Sequence, residues 1–273
     1  MVCLIPGQDR LRSSSTERSL LGKRRQELEK VERIFSIIVK VILQALGSSK
    51  KSAPDPEPEE PEKVKEEPAP EPVKEEKVAH QKKYLWLLDN GHGETTPGKR
   101  SPKFDDGTRM FEYEFNRAIV ARIKNRLDEI GVAYLDLVPG DSDVSLSDRV
   151  SLAKSCDDQG LDKVYISVHG NAATDDWSSA NGVETFCYPG STTGHRLGDV
   201  FQKHLIDQTG WRDRGVKEAK FYVLRKTTMP AILTENGFFS NKQQCEQMLS
   251  AEYRDKIAEA HVQAILEIEK DNI

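Results

Sequence analysis

Two histidines in this sequence each stand at the end of a short apolar stretch and are followed by glycine. His92 lies in the GHG turn after YLWLLDN, and His169 ends VYISVH just before Gly170. Apolar runs bounded by turn-forming residues are typical of buried strands, and open α/β sheets bind ligands at the carboxyl ends of their strands. The glycines allow a sharp turn and a close approach by another group. The pattern indicates two imidazoles at one edge of a sheet, although a single histidine of this kind is more often an ordinary surface residue.

A third apolar stretch, AILTE, ends at Glu235 before Asn236 and Gly237. Imidazoles and a carboxylate are the protein ligands of many catalytic zinc sites, which keep one further position for water. Another carboxylate beside such a metal can act as general base and then protonate the leaving group. We therefore interpret Glu235 as a candidate base. The alternative is a strand-end residue that caps the following helix.

The third metal ligand is expected at the start of the first long helix, where Glu112 and Glu114 stand. Residues two apart on a helix point in different directions, so at most one of them binds the ion. Acidic residues are also common in a first helical turn because they interact favourably with the helix dipole. Spacing alone leaves the choice between the two open.

The elements that must position these residues alternate between strand and helix from Tyr84 onward. The sequence predicts strands at residues 84–88, 132–138, 163–170, 182–188, 221–224 and 231–235. It predicts helices at residues 110–131, 146–156, 196–210, 241–249 and about 252–270. This alternation favours an α/β fold with a mostly parallel or mixed sheet that is covered by helices on both faces.

Composition divides the chain into three regions. Residues 1–47 include an apolar run at 31–46, which Lys40 interrupts and which is shorter than the ~20 residues that span a bilayer. This run fits a packing or self-association helix, or a helix that lies on a membrane surface. Residues 48–83 are rich in Pro, Glu and Lys and bury too little apolar surface to fold, which predicts a disordered linker. Residues 84–273 have the pattern of a globular domain.

Charge and cysteine content argue against some functions. The formal net charge of −5 offers no basic surface of the kind that nucleic-acid binding requires. The four cysteines, at positions 3, 156, 187 and 245, lack the paired spacing of metal or redox motifs, so we expect free thiols. The first residues lack the basic-then-apolar order of a secretory signal, and any export is expected to use another route.

Taken in order, the motifs between Tyr84 and about Lys270 resemble those of the zinc-dependent N-acetylmuramoyl-L-alanine amidases, which include bacterial cell-wall amidases and phage endolysins. LLDNGHG is similar to the family's first-histidine turn, and FEYEFN to its glutamate four residues before an asparagine, here Asn116. LSDRVSLA resembles a segment with a fixed arginine, VYISVHGNA the second-histidine strand, and TENGFFSN the segment of the catalytic glutamate. Each motif alone is weak, but their combination is specific.

The resemblance implies roles for individual residues. It implies zinc bound by His92, Glu112 and His169, with Glu235 as the catalytic base; Glu112 is preferred to Glu114 because it stands four residues before the helix-start asparagine. We also expect Asn171 and Arg225 to bind substrate. The implied fold is a single α/β domain, residues 84–273, with a sheet of about six strands.

The implied reaction is hydrolysis, by zinc-activated water, of the amide between the lactyl group of N-acetylmuramic acid and L-alanine of the stem peptide. The expected partner is peptidoglycan, with no nucleic acid and with a membrane-surface or self-association contact through residues 31–46. Two alternatives are a zinc peptidase or amide hydrolase acting on another cell-wall link, and a non-catalytic cell-wall binding module.

Two further expectations concern location and regulation. The absent secretory signal favours accumulation in the cytoplasm followed by action on the wall, as in a phage or prophage lysis enzyme; export or membrane association by a non-standard route is the alternative. The turn reads Gly93-Glu94 where a second glycine pair is common in the family, so Glu94 is a candidate to crowd the metal or contact substrate. No long helical insert like that of self-inhibited members is present, which predicts an open site.

Overall fold

The protein is described by a computed structural model, which covers residues 83–271. The predicted N-terminal segment 1–47, with its apolar run at 31–46, and the predicted linker up to residue 82 lie outside the described residues. Across residues 83–271, none of the helices is both long enough and apolar enough to cross a membrane.

The described residues form a six-stranded mixed sheet with strand order β2-β1-β3-β6-β4-β5. Its strands are β1 (Tyr84–Asn90), β2 (Tyr134–Asp136), β3 (Asp162–Asn171), β4 (Val183–Cys187), β5 (Asp213–Glu218) and β6 (Ala231–Phe238). All neighbours are parallel except β4 and β6, which run antiparallel. The carboxyl ends of β1, β3 and β6 therefore meet at the same edge of the sheet, as the sequence predicts.

Within residues 83–271, six helices cover both faces of this sheet. They are α1 (Glu112–Ile130), α2 (Leu146–Ser155), α3 (Thr192–Thr209), α4 (Tyr222–Lys226), α5 (Lys242–Leu249) and α6 (Ala251–Asp271). The apolar sides of α1, α3 and α6 pack together over one face, and α2 and α4 cover the other. Because both faces are covered, β1 is buried along its whole length and reads as a continuous apolar run instead of an alternating one.

The C-terminal helix α6 is tied to β1 by a buried polar contact. The Trp86 indole nitrogen donates a 2.8 Å hydrogen bond to Glu269, and the backbone N–H of Lys83 donates to the second oxygen of the same carboxylate. Trp86 is fully buried in the larger core cluster. A buried carboxylate needs such partners, so the end of the domain closes against its first strand.

One predicted strand is wrong and one observed strand was not predicted. FYVL at 221–224 is the start of helix α4, not a strand. A run of four apolar residues is too short for its period to separate strand from helix, and α4 buries Val223 and Leu224 against the sheet. The missed strand β5 has the polar sequence DRGVKE, because it lies at the edge of the sheet and pairs only with β4.

The other predicted elements are confirmed to within a few residues of their ends. Gly131 closes α1 in the left-handed conformation, with φ 76°, and donates its backbone N–H to the Leu127 carbonyl. Within the described residues the cysteines are free thiols, as predicted: Cys156, Cys187 and Cys245.

Candidate active site

The parallel pairing of β1 with β3 brings the two histidine turns together. Asn90 and Val168 are register partners, and the Gly91 N–H donates to the Val168 carbonyl at 3.0 Å. The chain of each strand then continues by one or two residues to His92 and His169. Their ring centroids are 4.9 Å apart and their planes lie at 86°. Two imidazoles from distant parts of the sequence thus meet at one edge of the sheet.

The glycines on either side of His92 are required by close contacts. A Cβ atom on Gly91 would lie 2.1 Å from the His169 ring, and one on Gly93 would lie 2.3 Å from the backbone of Asp143. His92 itself has φ 64°, in the left-handed region that residues other than glycine rarely adopt. The GHG sequence therefore admits the second histidine and holds the first one in an unusual backbone conformation.

Glu112 supplies a carboxylate between the two rings. Its Oε1 atom lies 3.0 Å from His169 Nδ1 and 3.3 Å from His92 Nε2, and its side chain is 1% exposed. Glu114, two residues later, is exposed and accepts a 3.2 Å hydrogen bond from the neighbouring Tyr113 hydroxyl. The structure thus brings Glu112 to the histidines and leaves Glu114 in solvent.

The three side chains fit a divalent metal. One nitrogen from each histidine and one Glu112 oxygen all lie within 4.8 Å of one another. Tetrahedral zinc with bonds of 2.0–2.1 Å holds its ligand atoms about 3.3 Å apart, close to the two distances measured from Glu112. The second Glu112 oxygen is buried and has no hydrogen-bond partner among the described residues. A buried, unsatisfied carboxylate oxygen is costly unless a cation neutralises it, which favours metal binding here.

The protonation states also suit metal binding. Burial opposes ionisation of Glu112, but hydrogen bonds from His169 and His92 lower its pKa to about 2. Burial lowers the pKa of His92 below its ordinary value, although the Glu112 carboxylate opposes this. Near neutral pH the cluster therefore presents an ionised carboxylate and a neutral imidazole, the forms that bind metal ions.

Glu235 lies beside this cluster on β6. It is the register partner of His169 in the parallel β3–β6 pair, and it lines the same cavity. Burial, and then the negative charge of Glu112, raise the pKa of Glu235 well above its ordinary value, while the Lys99 ammonium lowers it. Its Oε2 atom is buried and has no hydrogen-bond partner among the described residues. A carboxyl with a raised pKa beside a metal-type cluster is suited to accept and return a proton.

Two buried asparagines fix the backbone around the histidines. Asn116, on α1, donates to the Gly91 carbonyl at 3.0 Å. Asn236, on β6, donates to the His169 carbonyl at the same distance. Both side chains are fully buried, so each strand end is held by a neighbouring element.

The cluster opens into a cavity of about 610 Å³. One side of this cavity is apolar and includes Phe221 and Leu146, which are 39% and 54% exposed. Lys99, from the loop between β1 and α1, also lines it, and its carbonyl accepts a 3.0 Å hydrogen bond from the Glu112 N–H. Among residues 83–271, the Lys99 ammonium has no hydrogen-bond or ion-pair partner. A cation and an apolar surface thus border the metal-type cluster.

The other predicted substrate-binding residues lie outside the lining of this cavity. Asn171 donates to Glu184 at 2.8 Å, and Glu184 in turn pairs with Arg214 and Lys217. The guanidinium of Arg225 lies 5.9 Å from the centre of the Tyr222 ring, and Arg225 is exposed to solvent. Their roles in substrate binding stay predictions.

Sequence reasoning missed several polar residues that contact the site. The sequence marks Asp89, Ser167 and Lys99 only as parts of strands or loops, and Arg149 only as the arginine of the LSDRVSLA segment. The missed signal is polarity inside buried strands: Asp89 and Ser167 are almost fully buried in β1 and β3. Glu94 is exposed, and it is absent from the residues that line the cavity.

Comparison with known proteins finds sequences and a structure that are described as N-acetylmuramoyl-L-alanine amidases. N-acetylmuramoyl-L-alanine amidase LytC of Bacillus subtilis (strain 168) is 33% identical over 177 residues, which are 64% of this chain and 33% of LytC. N-acetylmuramoyl-L-alanine amidase CwlM of Bacillus licheniformis is 32% identical over 182 residues, 66% of each chain. The crystal structure of N-acetylmuramoyl-L-alanine amidase from Clostridium difficile 630 matches with a TM-score of 0.63 at 29% identity, covering 70% of this chain and 99% of that one.

The aligned part of this chain therefore spans a third of LytC and about two thirds of CwlM. A family model described as N-acetylmuramoyl-L-alanine amidase matches residues 87–267. This span contains most of β1 and the whole of the other five strands. Since this match covers more than half of the sequence, the chain belongs to the N-acetylmuramoyl-L-alanine amidase family.

Proposed function

We propose that this protein hydrolyses peptidoglycan at the amide between N-acetylmuramic acid and L-alanine of the stem peptide, with zinc held by His92, Glu112 and His169. The observation that carries the proposal is the meeting of these three side chains, with ligand atoms within 4.8 Å of one another, beside Glu235. Membership of the family supports the reaction and the substrate.

Bound zinc supplies a Lewis acid that polarises the scissile carbonyl and makes water a stronger acid. The chain's own residues hold that group in place. Glu112 contributes the negative charge, His92 and His169 contribute neutral nitrogens, and the strand-end asparagines hold the backbone of both histidines.

Glu235 is the proposed proton carrier. Its carboxylate takes a proton from the attacking water and then delivers it to the nitrogen of the departing L-alanine. The carboxylate is half-buried at the cavity surface, and both its burial and the charge of Glu112 favour its protonated form. A raised pKa makes the ionised carboxylate a stronger base toward the proton of water, and the carboxyl formed in that step can then donate to the departing amine.

The substrate is proposed to lie in the 610 Å³ cavity, against the apolar surface formed by Leu146 and Phe221. Asn171 and Arg225 remain proposed substrate contacts at the periphery. The chain thus offers an apolar and a charged border to a ligand that combines a sugar, a lactyl group and a peptide.

The test is digestion of purified cell-wall sacculi, with mass analysis of the released fragments. We expect free stem peptides that begin with L-alanine, loss of activity with a chelator, and recovery on addition of zinc. Fragments cut within the peptide would instead identify a peptidase, and binding without release would identify a binding module.

The matched variants are Glu235→Gln and Glu114→Gln. We expect Glu235→Gln to remain folded and lose activity, since an amide cannot carry the proton, and Glu114→Gln to keep activity because its side chain lies in solvent. Full activity of Glu235→Gln on sacculi would refute the assignment of the base.

A further inference from the structure

A buried polar network lies behind His169, on the side away from the other proposed metal ligands. His169 Nδ1 faces Glu112 at 3.0 Å, so the second ring nitrogen, Nε2, points away and lies 3.2 Å from the Ser167 hydroxyl. Ser167 stands two residues before His169 on β3, and alternate residues of a strand share a face. The hydroxyl therefore lies beside the imidazole because of the strand's own geometry.

Ser167 connects the imidazole to a buried carboxylate. Its hydroxyl donates to Asp89 Oδ2 at 2.7 Å, and the two residues are register partners in the β1–β3 pair. Asp89 and Ser167 are at most 1% exposed. Because the Ser167 proton goes to Asp89, the free lone pairs of its oxygen face His169 and can accept the Nε2 proton. A metal bound at Nδ1 would replace the proton that Glu112 accepts there, and the remaining ring proton would then lie on Nε2, facing the Ser167 oxygen.

Asp89 is held as a carboxylate by its other neighbours. Burial raises the pKa of Asp89. The Arg149 guanidinium and the hydroxyls of Ser167 and Tyr165 together lower it by more than burial raises it, so the net shift is downward. Arg149 forms a buried ion pair with Asp89. The Asp89 carboxylate, which accepts the hydrogen bond from Ser167, is therefore fixed in both charge and position.

The same guanidinium also contacts the first histidine turn. Arg149 Nη2 donates to the His92 carbonyl at 3.0 Å, and its Nη1 donates to the Asn90 carbonyl at 2.8 Å. His92 is the residue with φ 64°, so these bonds fall where the backbone conformation is least favourable. One buried ion pair thus touches the backbone of His92 and, through Ser167, the ring of His169.

We propose that Ser167 is a positioning residue, which passes the fixed geometry of the Asp89–Arg149 pair to the His169 ring and thereby sets the affinity of the site for zinc. The inference rests on the proposed zinc site. Partners that orient the far nitrogen of a metal-binding histidine contribute about 10–100-fold in metal affinity.

Tyr165 provides a matched control within the same network. Its hydroxyl also donates to Asp89 Oδ2 at 2.7 Å and is also buried, but no contact joins it to His169. Ser167→Ala and Tyr165→Phe each remove one hydroxyl from the same carboxylate oxygen. Only Ser167→Ala removes the contact with the imidazole, so general weakening of the buried network affects both variants alike.

The experiment measures zinc dissociation constants of the full chain by competition with a colorimetric chelator. We expect Ser167→Ala to bind zinc about 10–100-fold more weakly than the wild type, and Tyr165→Phe to stay within about threefold of it. The visible absorption of the cobalt(II)-substituted protein should change for Ser167→Ala and not for Tyr165→Phe. Thermal unfolding of both metal-free variants gives the structural cost of each deletion separately.

The outcomes separate this inference from the proposed function. If the wild type binds no zinc, the proposed metal site is wrong; if the wild type binds zinc and both variants match it, or both lose affinity equally, the role of Ser167 is wrong. Should Ser167→Ala fail to fold, Ser167→Thr and Ser167→Val make the same comparison at nearly constant shape. The inference then requires tighter zinc binding by the threonine variant.

Discussion

Alanine in place of Gly91 tests the geometry of the site most directly. The added Cβ would lie 2.1 Å from the His169 ring, whereas ordinary contacts begin at 3.4 Å, so about 1.3 Å must be regained by movement. The Gly91 backbone is held at 3.0 Å by both Val168 and Asn116 and cannot retreat without breaking those bonds. The imidazole must therefore move.

Such a movement is large compared with the tolerance of metal sites, in which bond lengths vary by only about 0.2 Å. We expect Gly91→Ala to lower zinc affinity by more than 100-fold, beyond the roughly 10–100-fold effect of a lost supporting contact, and to abolish hydrolysis of sacculi. The cost in folding stability should be about 1–3 kcal/mol, as for other overpacked sites. The measurements are chelator competition, chemical unfolding and digestion of sacculi.

Gly170→Ala is the matched control, one residue after His169. Its added Cβ would meet the end of the flexible Met248 side chain at 3.0 Å, and a small rotation of that side chain relieves the contact. We expect this variant to bind zinc and cut sacculi like the wild type. If Gly91→Ala is folded and binds zinc with unchanged affinity, the proposed ligand role of His169 is refuted.

Two further predictions concern pH. Because Lys99 lowers the pKa of Glu235, Lys99→Met should raise that pKa and move the acidic limb of the kcat/KM profile to higher pH. Lys103→Met, on the same loop but outside the cavity, should leave the acidic limb in place. Equal profiles for the two variants would exclude an influence of Lys99. Burial lowers the pKa of His261 to about 4 from its ordinary 6.5. The contribution of neutral His261 to the free energy of unfolding is therefore complete above pH 6.5, and about 3 kcal/mol of it is lost as the pH falls from 6.5 through 4. Chemical unfolding of wild type and His261→Gln between pH 7 and 4 checks this, and a wild-type slope in the variant would contradict it.

The sequence predicts the fold where apolar pattern and burial agree. β1 and β3 are apolar runs between turn formers, and both were found near their predicted bounds. β5 was missed because an edge strand needs no apolar face, and residues 221–224 were misread because a single turn of helix has too few positions to establish a period. Local sequence does not predict which strand lies at the edge of the sheet.

The convergence of His92, His169 and Glu235 follows from topology, since the carboxyl ends of parallel strands lie at one edge of the sheet. Glu112 could be chosen over Glu114 only through resemblance, because the direction of a first-turn side chain depends on how the helix docks. The Asp89–Ser167 contact is not predictable from local sequence, since it depends on the register of two strands that are separated by the 71 residues between Asn90 and Asp162. Register is fixed by packing over the whole sheet.

Assembly of the proposed metal site depends on the pairing of β1 with β3. In an unfolded or partly folded chain the proposed site does not exist, because His92 and His169 come together only when β3 pairs with β1. Binding of the proposed metal therefore requires the two strands to be paired, and an ion that binds the folded protein stabilises it against unfolding. Removal of the proposed zinc is therefore expected to shorten the lifetime of the protein against proteases as well as to stop hydrolysis.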